Sequence, residues 1–120
     1  MVVKAGAERK SKVAARAPRK KTHDLGPMPV WDLSDLYRSM DALEVKRDLA
    51  AAAKEAARIK AAYQGKLSDA ARDGAKLAEA VKAYERLSDL MGKLGSYAGL
   101  LYSADQADPA RAKFYGDVSE

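Results

Sequence analysis

Residues with the chemistry for catalysis or metal binding are few in this sequence. The chain has one histidine, His23, and no cysteine. Because a catalytic zinc ion usually takes three ligands drawn mostly from histidine, cysteine and carboxylate side chains, we expect no zinc site here. A Ser-His-Asp site would need His23 to be held rigidly, and this residue lies in a basic segment with the composition of a flexible tail. We therefore interpret His23 as a solvated side chain.

Three aspartates near the first aromatic residues are the next candidates. Asp32, Asp35 and Asp41 lie close to Trp31 and Tyr37, but no partner base or metal ligand is near them in sequence. Helix capping and a polar surface explain such aspartates without any chemistry. The sequence also lacks an H-E-x-x-H helix, a glycine-rich phosphate loop and a G-x-S-x-G turn. We therefore assign no catalytic, cofactor-binding or metal-binding residue to this chain.

Two tyrosines in the second half of the chain are the remaining candidates for a binding role. Tyr97 and Tyr102 fall within an apolar helical pattern. A core tyrosine in such a pattern places its ring inside and its hydroxyl at a polar edge, and we interpret both residues in this way. A substrate-binding role for Tyr97 or Tyr102 is the alternative.

The elements that would position any site begin only after a basic N-terminal segment. Residues 1–29 hold eight lysines and arginines against two acids, while the rest of the chain is close to neutral. The segment contains three prolines and no sustained apolar period, which predicts a flexible, disordered extension. Two alternatives remain open for it: weak, salt-sensitive binding to nucleic acid, and a mitochondrial-type targeting segment.

A docking segment and a long helix are predicted next. Within residues 30–37, four side chains are apolar enough to dock on another part of the protein: Trp31, Leu33, Leu36 and Tyr37. Ser34 could cap a single turn over 35–37. A helix over about 41–64 follows, because Asp41 and Glu44 have the spacing of a capping box and Gly65 stands where a left-handed residue ends a helix. The apolar residues of this helix form one narrow, alanine-rich stripe: Val45, Leu49, Ala52, Ala56, Ile59 and Tyr63.

A second long helix is predicted after a loop at 66–73. The last residue of this loop, Asp73, can cap the helix, with Gly74 and Ala75 in its first turn, and the pattern is strongly helical over 77–102. Gly92, Gly95 and Gly99 align at helical spacing and predict close packing of a neighbour, while a break near 86–88 is an alternative. Two overlapping apolar stripes predict contacts on two sides of the helix: Leu77, Val81, Tyr84, Met91, Leu94, Ala98 and Leu101 in one, and Leu87, Leu90, Leu94, Tyr97 and Leu101 in the other.

A third helix is predicted to start at Asp108-Pro109, with aspartate at the cap and proline at the first helical position. Phe114 and Val118 lie four residues apart in it, and no stop signal marks Glu120, so we expect this helix to continue in further chain. The expected fold is all-α. It comprises an antiparallel helical hairpin plus the start of a third helix over residues 30–120, with a disordered basic tail at 1–29.

Several of these segments, taken in order, resemble one known family. The segments are Trp31-Asp32-Leu33-Ser34-Asp35-Leu36-Tyr37, Tyr63-Gln64-Gly65-Lys66-Leu67, Tyr84-Glu85-Arg86-Leu87, Leu94-Gly95-Ser96-Tyr97-Ala98, Leu101-Tyr102 and Asp108-Pro109. Their order and spacing over residues 30–120 are similar to those of the N-terminal region of oligoendopeptidase F, a zinc metallopeptidase of the M3 family, and residues 1–29 lie outside the resemblance.

The resemblance implies a cytoplasmic zinc metalloendopeptidase that cleaves oligopeptides inside a largely helical shell. In that family the zinc is held by the two histidines of an H-E-x-x-H helix and a later glutamate, and the glutamate between the histidines activates water. These positions belong to the C-terminal half, and none exists in this chain. We therefore expect the chain to bind no zinc and to be inactive alone. Its helices would form part of the wall of the substrate cleft.

A function of a different class also fits the same residues. The chain could be a stand-alone helical interaction module whose basic tail binds nucleic acid or acidic partners. Nucleic acid is the less expected partner, because no aromatic residue is interleaved with the lysines and arginines before Trp31. A membrane partner is not expected either, since no stretch is long and apolar enough to span a bilayer.

Overall fold

The computed structural model describes residues 26–120, and in this part of the chain all regular structure is α-helical. Helix α1 spans Leu43–Tyr63, α2 spans Leu67–Ala70, α3 spans Gly74–Ala104 and α4 spans Pro109–Ser119. The predicted all-α class is confirmed. Residues 1–25 of the predicted flexible tail lie outside the described residues. His23, which we interpreted as solvated, is among them.

Helices α1 and α3 form an antiparallel hairpin. Two contacts across the interface define the direction: Asp48 faces Lys93, and Glu55, seven residues later, faces Arg86, seven residues earlier. Small side chains are buried on both helices, including Ala52 and Ala83. The burial of Ala52 agrees with the predicted alanine-rich stripe, because small side chains let two helices approach closely, whereas Ala56 of that stripe is exposed.

The core lies at the end of the hairpin where three parts of the chain meet α3. Its buried members are Tyr37, Val45, Leu94 and Tyr97. Helix α4 packs antiparallel on the last turns of α3, where the Arg111 side chain donates a hydrogen bond to the Leu101 carbonyl oxygen at 3.1 Å. Partly buried side chains from the N-terminal segment, α1, α3 and α4 surround this core: Leu33, Leu36, Met40, Ala42, Leu49, Leu101, Phe114 and Val118.

The start of α1 differs from the prediction. The helix begins at Leu43, and its N-cap residue, Ala42, makes no side-chain capping hydrogen bond. Asp41 and Glu44 therefore do not form the predicted capping box. The reason is a turn before the helix, in which the Ala42 N–H donates to the Ser39 carbonyl oxygen at 3.2 Å. Asp41 lies inside this turn, so its side chain is not at the cap position.

The predicted cap at Ser34 is also displaced. The Asp32 carboxylate accepts a hydrogen bond from the Ser34 N–H at 3.0 Å, and the Leu33 carbonyl accepts from the N–H groups of Leu36 and Tyr37. Ser34 is therefore inside the turn that it was predicted to cap. Asp32 performs the capping, because a short acceptor two residues ahead can reach a turn's free N–H group.

Three other helix-end predictions are confirmed. Asp73 accepts hydrogen bonds from the N–H groups of Ala75 and Lys76, at 2.9 and 3.4 Å, and so caps α3. Asp108 accepts from the Ala110 N–H at 2.8 Å, with proline at the first position of α4. Gly65 has a φ of +73°, the left-handed conformation expected after the end of α1.

Two further segments differ from expectation. The predicted loop at 66–73 contains the short helix α2, which buries Ala70. Helix α3 is unbroken from Gly74 to Ala104, so the alternative break near 86–88 does not occur; no glycine or proline stands there to cause one. Within residues 26–120, no helix combines the length and hydrophobicity needed to cross a bilayer.

Candidate functional site

A buried polar cluster joins the N-terminal segment to the hairpin. The Tyr37 hydroxyl donates to Asp48 Oδ2 at 2.8 Å, and Arg47 Nε donates to Asp48 Oδ1 at 3.2 Å. Lys93 Nζ lies 3.9 Å from Asp48 Oδ2 and 4.2 Å from the centroid of the Tyr37 ring. Asp48 is only 7% exposed. A buried carboxylate with this set of partners is fully compensated.

The electrostatics of this cluster favour a structural role. The hydrogen bond from Tyr37 holds the pKa of Asp48 below its usual range against the opposing effect of burial, with further help from Arg47 and Lys93. Burial and the neighbouring carboxylate raise the pKa of Tyr37. At neutral pH the pair is therefore an ionised aspartate and a neutral phenol. Because both carboxylate oxygens are bound by side chains of this same chain, we assign the cluster to holding the N-terminal segment in place.

Sequence reasoning missed Asp48 because it lies in a helix rich in alanine and charged residues, where an aspartate is usually solvated. One signal was present. Asp48 lies three residues after Val45 and four before Ala52, which places it on the buried stripe of α1. Its partner, Tyr37, lies eleven residues earlier, outside the helix, and no local pattern pairs the two.

Tyr97 is a core residue, as predicted. It is 3% exposed, and its ring meets those of Tyr37 and Phe114 edge-on, with centroid distances of 5.1 and 5.9 Å. Burial raises the pKa of Tyr97. Such edge-to-face pairs stabilise a core beyond their buried area. The Tyr97 ring is therefore enclosed between the N-terminal segment and α4, and it offers little surface to a ligand.

Tyr102 lines a shallow groove between α3 and α4. Its ring stacks on that of Tyr115 with an interplanar angle of 3° and a centroid distance of 5.2 Å. We call this feature the glycine groove; it has a volume of about 510 Å³ and is lined by Gly95, Ser96, Gly99, Leu100, Tyr102, Ser103, Gln106 and Tyr115. The alternative role considered for Tyr102, contact with a substrate, is sterically open in this position.

The glycines of α3 do not all serve the close packing that was predicted for them. A Cβ atom added to Gly99 would lie 3.8 Å from a ring carbon of Tyr115, so this glycine has a close neighbour. At Gly92 and Gly95, apart from the adjoining residues and the backbone of the helix itself, no atom of residues 26–120 comes within 4 Å of such a Cβ. For these two positions the prediction is wrong within the described part of the chain. They lie on an open face of the helix.

That open face carries an uncharged row of residues, which we call the α3 stripe: Leu77, Val81, Tyr84, Ser88, Met91 and Gly95. Its large side chains are well exposed, at 38% for Leu77, 48% for Val81, 66% for Tyr84 and 58% for Met91. Two-sided contact was predicted for this helix. Within residues 26–120 the C-terminal continuation of this row is covered, because Tyr115 of α4 lies against Gly99 and stacks on Tyr102, and the α3 stripe itself remains exposed.

The other candidate carboxylates do not gather into a site. Hydrogen bonds from Ser34 hold the pKa of Asp32 below its usual range, and Asp35 and Asp41 are exposed. In the described part of the chain, no group of three or more histidine, cysteine, aspartate or glutamate side chains could hold a metal ion. The geometry therefore offers surfaces for packing and docking, with no constellation for acid–base or metal chemistry among residues 26–120.

The chain was compared with known protein families, curated proteins and solved structures. No protein-family model, curated protein or solved structure matches this chain. The resemblance to oligoendopeptidase F thus rests on the ordered sequence segments alone.

Proposed function

We propose that this chain is the N-terminal helical segment of an oligoendopeptidase F-like zinc metalloendopeptidase and forms part of the wall of its peptide cleft. The observation that carries the proposal is the second apolar face of α3. One face of this helix is buried in the core, and the α3 stripe is exposed over six uncharged positions. A helix that is apolar on two sides is typical of the interior of a larger helical protein.

In this proposal the chain contributes shape and the catalytic domain contributes chemistry. Zinc, when bound by that domain, activates water and polarises the scissile carbonyl. Residues 26–120 hold no set of ligands that fits the metal, so no step of hydrolysis is assigned to them. A helical wall restricts the cleft to short, unfolded peptides, which makes oligopeptides the proposed substrates. The cytoplasm is the location that the resemblance to oligoendopeptidase F implies.

The reading frame and metal content of the complete gene product test this proposal. We expect the frame to continue past codon 120 into an H-E-x-x-H sequence followed by a further glutamate. The purified complete protein is expected to hold one zinc ion per molecule, as a single site of this kind requires. Replacing the two motif histidines by alanine is the matched control and should abolish zinc binding. A stop codon directly after Glu120 would refute the proposal.

The second candidate function, a helical interaction module with a basic tail, is favoured by the same exposed stripe and by the charge of residues 1–29. Measuring the binding of DNA to residues 1–120 and to residues 30–120 distinguishes the proposed function from the interaction module. Our proposal predicts only weak binding, which falls steeply with salt and disappears with the tail. Sequence-selective binding that resists salt would support the interaction module instead.

A further inference from the structure

The α3 stripe has a spacing that reads the same from either end. Its six positions are separated by four, three, four, three and four residues, which is the period of helices that pack lengthwise. When two α3 helices lie antiparallel along this row, position 77 of one copy faces position 95 of the other, 81 faces 91, and 84 faces 88. Each pair of facing positions is centred on position 86, so the pairing is symmetric.

The sizes of the facing residues are complementary in this antiparallel arrangement. Leu77 faces Gly95 of the other copy, and Tyr84 faces Ser88, so each small residue of the row meets a bulky one. At Gly95, apart from the adjoining residues and the helix's own backbone, an added Cβ atom would meet no atom of residues 26–120 within 4 Å. A parallel pair would instead place Tyr84 against Tyr84 and Gly95 against Gly95, which crowds one layer and leaves a void in another.

The charged flank of the stripe also matches itself in this register. Lys82, Glu85 and Asp89 share one flank by their spacing and are exposed, and none of them makes an ion pair within residues 26–120. Lys82 faces position 90 of the other copy, one residue from Asp89, and symmetry makes this contact twice. Glu85 faces position 87, so the two copies of Glu85 lie beside the axis and repel each other.

From size and charge together, we infer that the α3 stripe is the interface through which two copies of this chain pair, with their α3 helices antiparallel about a two-fold axis at position 86. A second copy supplies the bulky residues opposite the small ones and the lysine opposite the aspartate by symmetry alone. The row is about 27 Å long, so the interface is small and its dissociation constant lies in the micromolar range. The inference uses only residues of this chain and goes beyond the proposed function.

Single cysteines test the register of the pair, since residues 1–120 contain no cysteine. Glu85→Cys should cross-link two copies through a short bis-maleimide, because position 85 lies beside the axis. Leu77→Cys is the matched control on the same exposed row. It should cross-link at least about tenfold less, because the two copies of position 77 are about 27 Å apart along the helices. Equal cross-linking at both positions would show a parallel pair and overturn the inference.

A charge exchange tests which residues face each other, with the dissociation constant of chain 1–120 measured by sedimentation velocity over a dilution series. Asp89→Lys should raise this constant about tenfold, because two attractions become two repulsions, and adding Lys82→Asp should restore it. Glu85→Gln should lower the constant, because it removes the repulsion at the axis. Ala50→Lys, at an exposed position of α1, is the control and should leave the constant unchanged. Circular dichroism verifies that each variant keeps its helix content.

The remaining outcomes separate this inference from the proposed function. A chain 1–120 that stays monomeric at every concentration would overturn the inference, and so would an Asp89→Lys variant that Lys82→Asp does not rescue. Neither result bears on the zinc motif, so the proposed function would stand. A symmetric dimer of chain 1–120 from a gene without the zinc motif would support the interface and remove the proposed function instead.

Discussion

At the scale of single residues, Asp48 and Tyr37 join two parts of the chain that are eleven positions apart. The N-terminal segment has no regular helix to hold it, so it depends on the packing of Leu33, Leu36 and Tyr37 and on this hydrogen bond. Lys93 makes a second contact with the segment, because its ammonium group lies over the Tyr37 ring and faces the Asp48 carboxylate. The cluster thus connects the segment to both helices of the hairpin.

The first prediction concerns the loss of this carboxylate. Asp48→Ala should lower the free energy of unfolding by about 1–3 kcal/mol, because it leaves a buried tyrosine hydroxyl without its acceptor. Asp41→Ala is the control and should change stability by less than about 0.5 kcal/mol, since Asp41 is exposed and caps no helix. Urea titration of both variants provides the measurement. Equal effects of the two substitutions would contradict the account.

The second prediction concerns pH. The pKa of Asp48 in the folded chain is lowered from its usual value of 3.8, so its contribution is fully present above that value and is lost as pH falls through the lowered pKa. The stability difference between the native chain and Asp48→Asn should therefore be constant near neutrality and shrink below about pH 4. Thermal unfolding from pH 2 to pH 7 measures it. A difference that stays constant over this range would argue against an ionised Asp48.

At the scale of elements, the helix ends show how local chemistry sets boundaries. Asp73 and the Asp108-Pro109 pair were recognisable in the sequence, because each cap depends on residues within three positions. The cap predicted at Asp41 failed because the turn closed by the Ala42 N–H and the Ser39 carbonyl oxygen contains Asp41, and the helix starts only at Leu43. Helix α2 was missed for a similar reason: one turn of helix has no measurable period, and its buried residue is only an alanine.

The cap of α3 gives the third prediction. Asp73→Ala should destabilise the chain by about 0.5–2 kcal/mol, because the N–H groups of Ala75 and Lys76 lose their acceptor. Asp73→Ser keeps an acceptor at the same place and should retain most of the stability. Circular dichroism during thermal unfolding compares the two variants. A serine variant as unstable as the alanine variant would show that the capping bond is not the cause.

The fourth prediction is that replacing two different glycines by alanine changes the stability of the chain in opposite directions. Gly65→Ala forces a side chain into the left-handed region at φ +73° and should cost about 1–2 kcal/mol. Gly95→Ala in the isolated chain should raise the free energy of unfolding by at most about 1 kcal/mol, because alanine favours a helix interior and its Cβ meets nothing within 4 Å. Chemical denaturation of the two variants tests this pair. Destabilisation by both would mean that Gly95 is already packed within this chain.

At the scale of the whole molecule, the helical period predicted the two long helices, and the antiparallel hairpin that was expected of them is present. The contact predicted on a second side of α3 is not made over the α3 stripe within residues 26–120. The sequence also predicted Tyr97 as a core residue. The sequence could not predict the Asp48 cluster, because its members come from three elements and meet only through tertiary packing. The close packing predicted at Gly92 and Gly95 was wrong for a related reason. The spacing of residues can indicate a packing face, but it does not show which element packs there.

The α3 stripe links this architecture to the proposed role. Ala52 of α1 and Ala83 of α3 are buried in the hairpin, and the large apolar residues of the α3 stripe remain on the surface. Exposed apolar rows of this kind mark interaction surfaces in otherwise charged proteins. The chain therefore fits a role as one layer of a helical shell.

Peptide hydrolysis by the complete gene product, measured beside residues 1–120 alone, tests the central claim most directly. A quenched fluorescent oligopeptide is the substrate, and a chelator followed by added zinc is the control. The account predicts cleavage by the complete protein that stops with the chelator and returns with zinc, and no cleavage by residues 1–120. Chelator-sensitive turnover by residues 1–120 themselves, or a complete protein that never cleaves peptides, would contradict it.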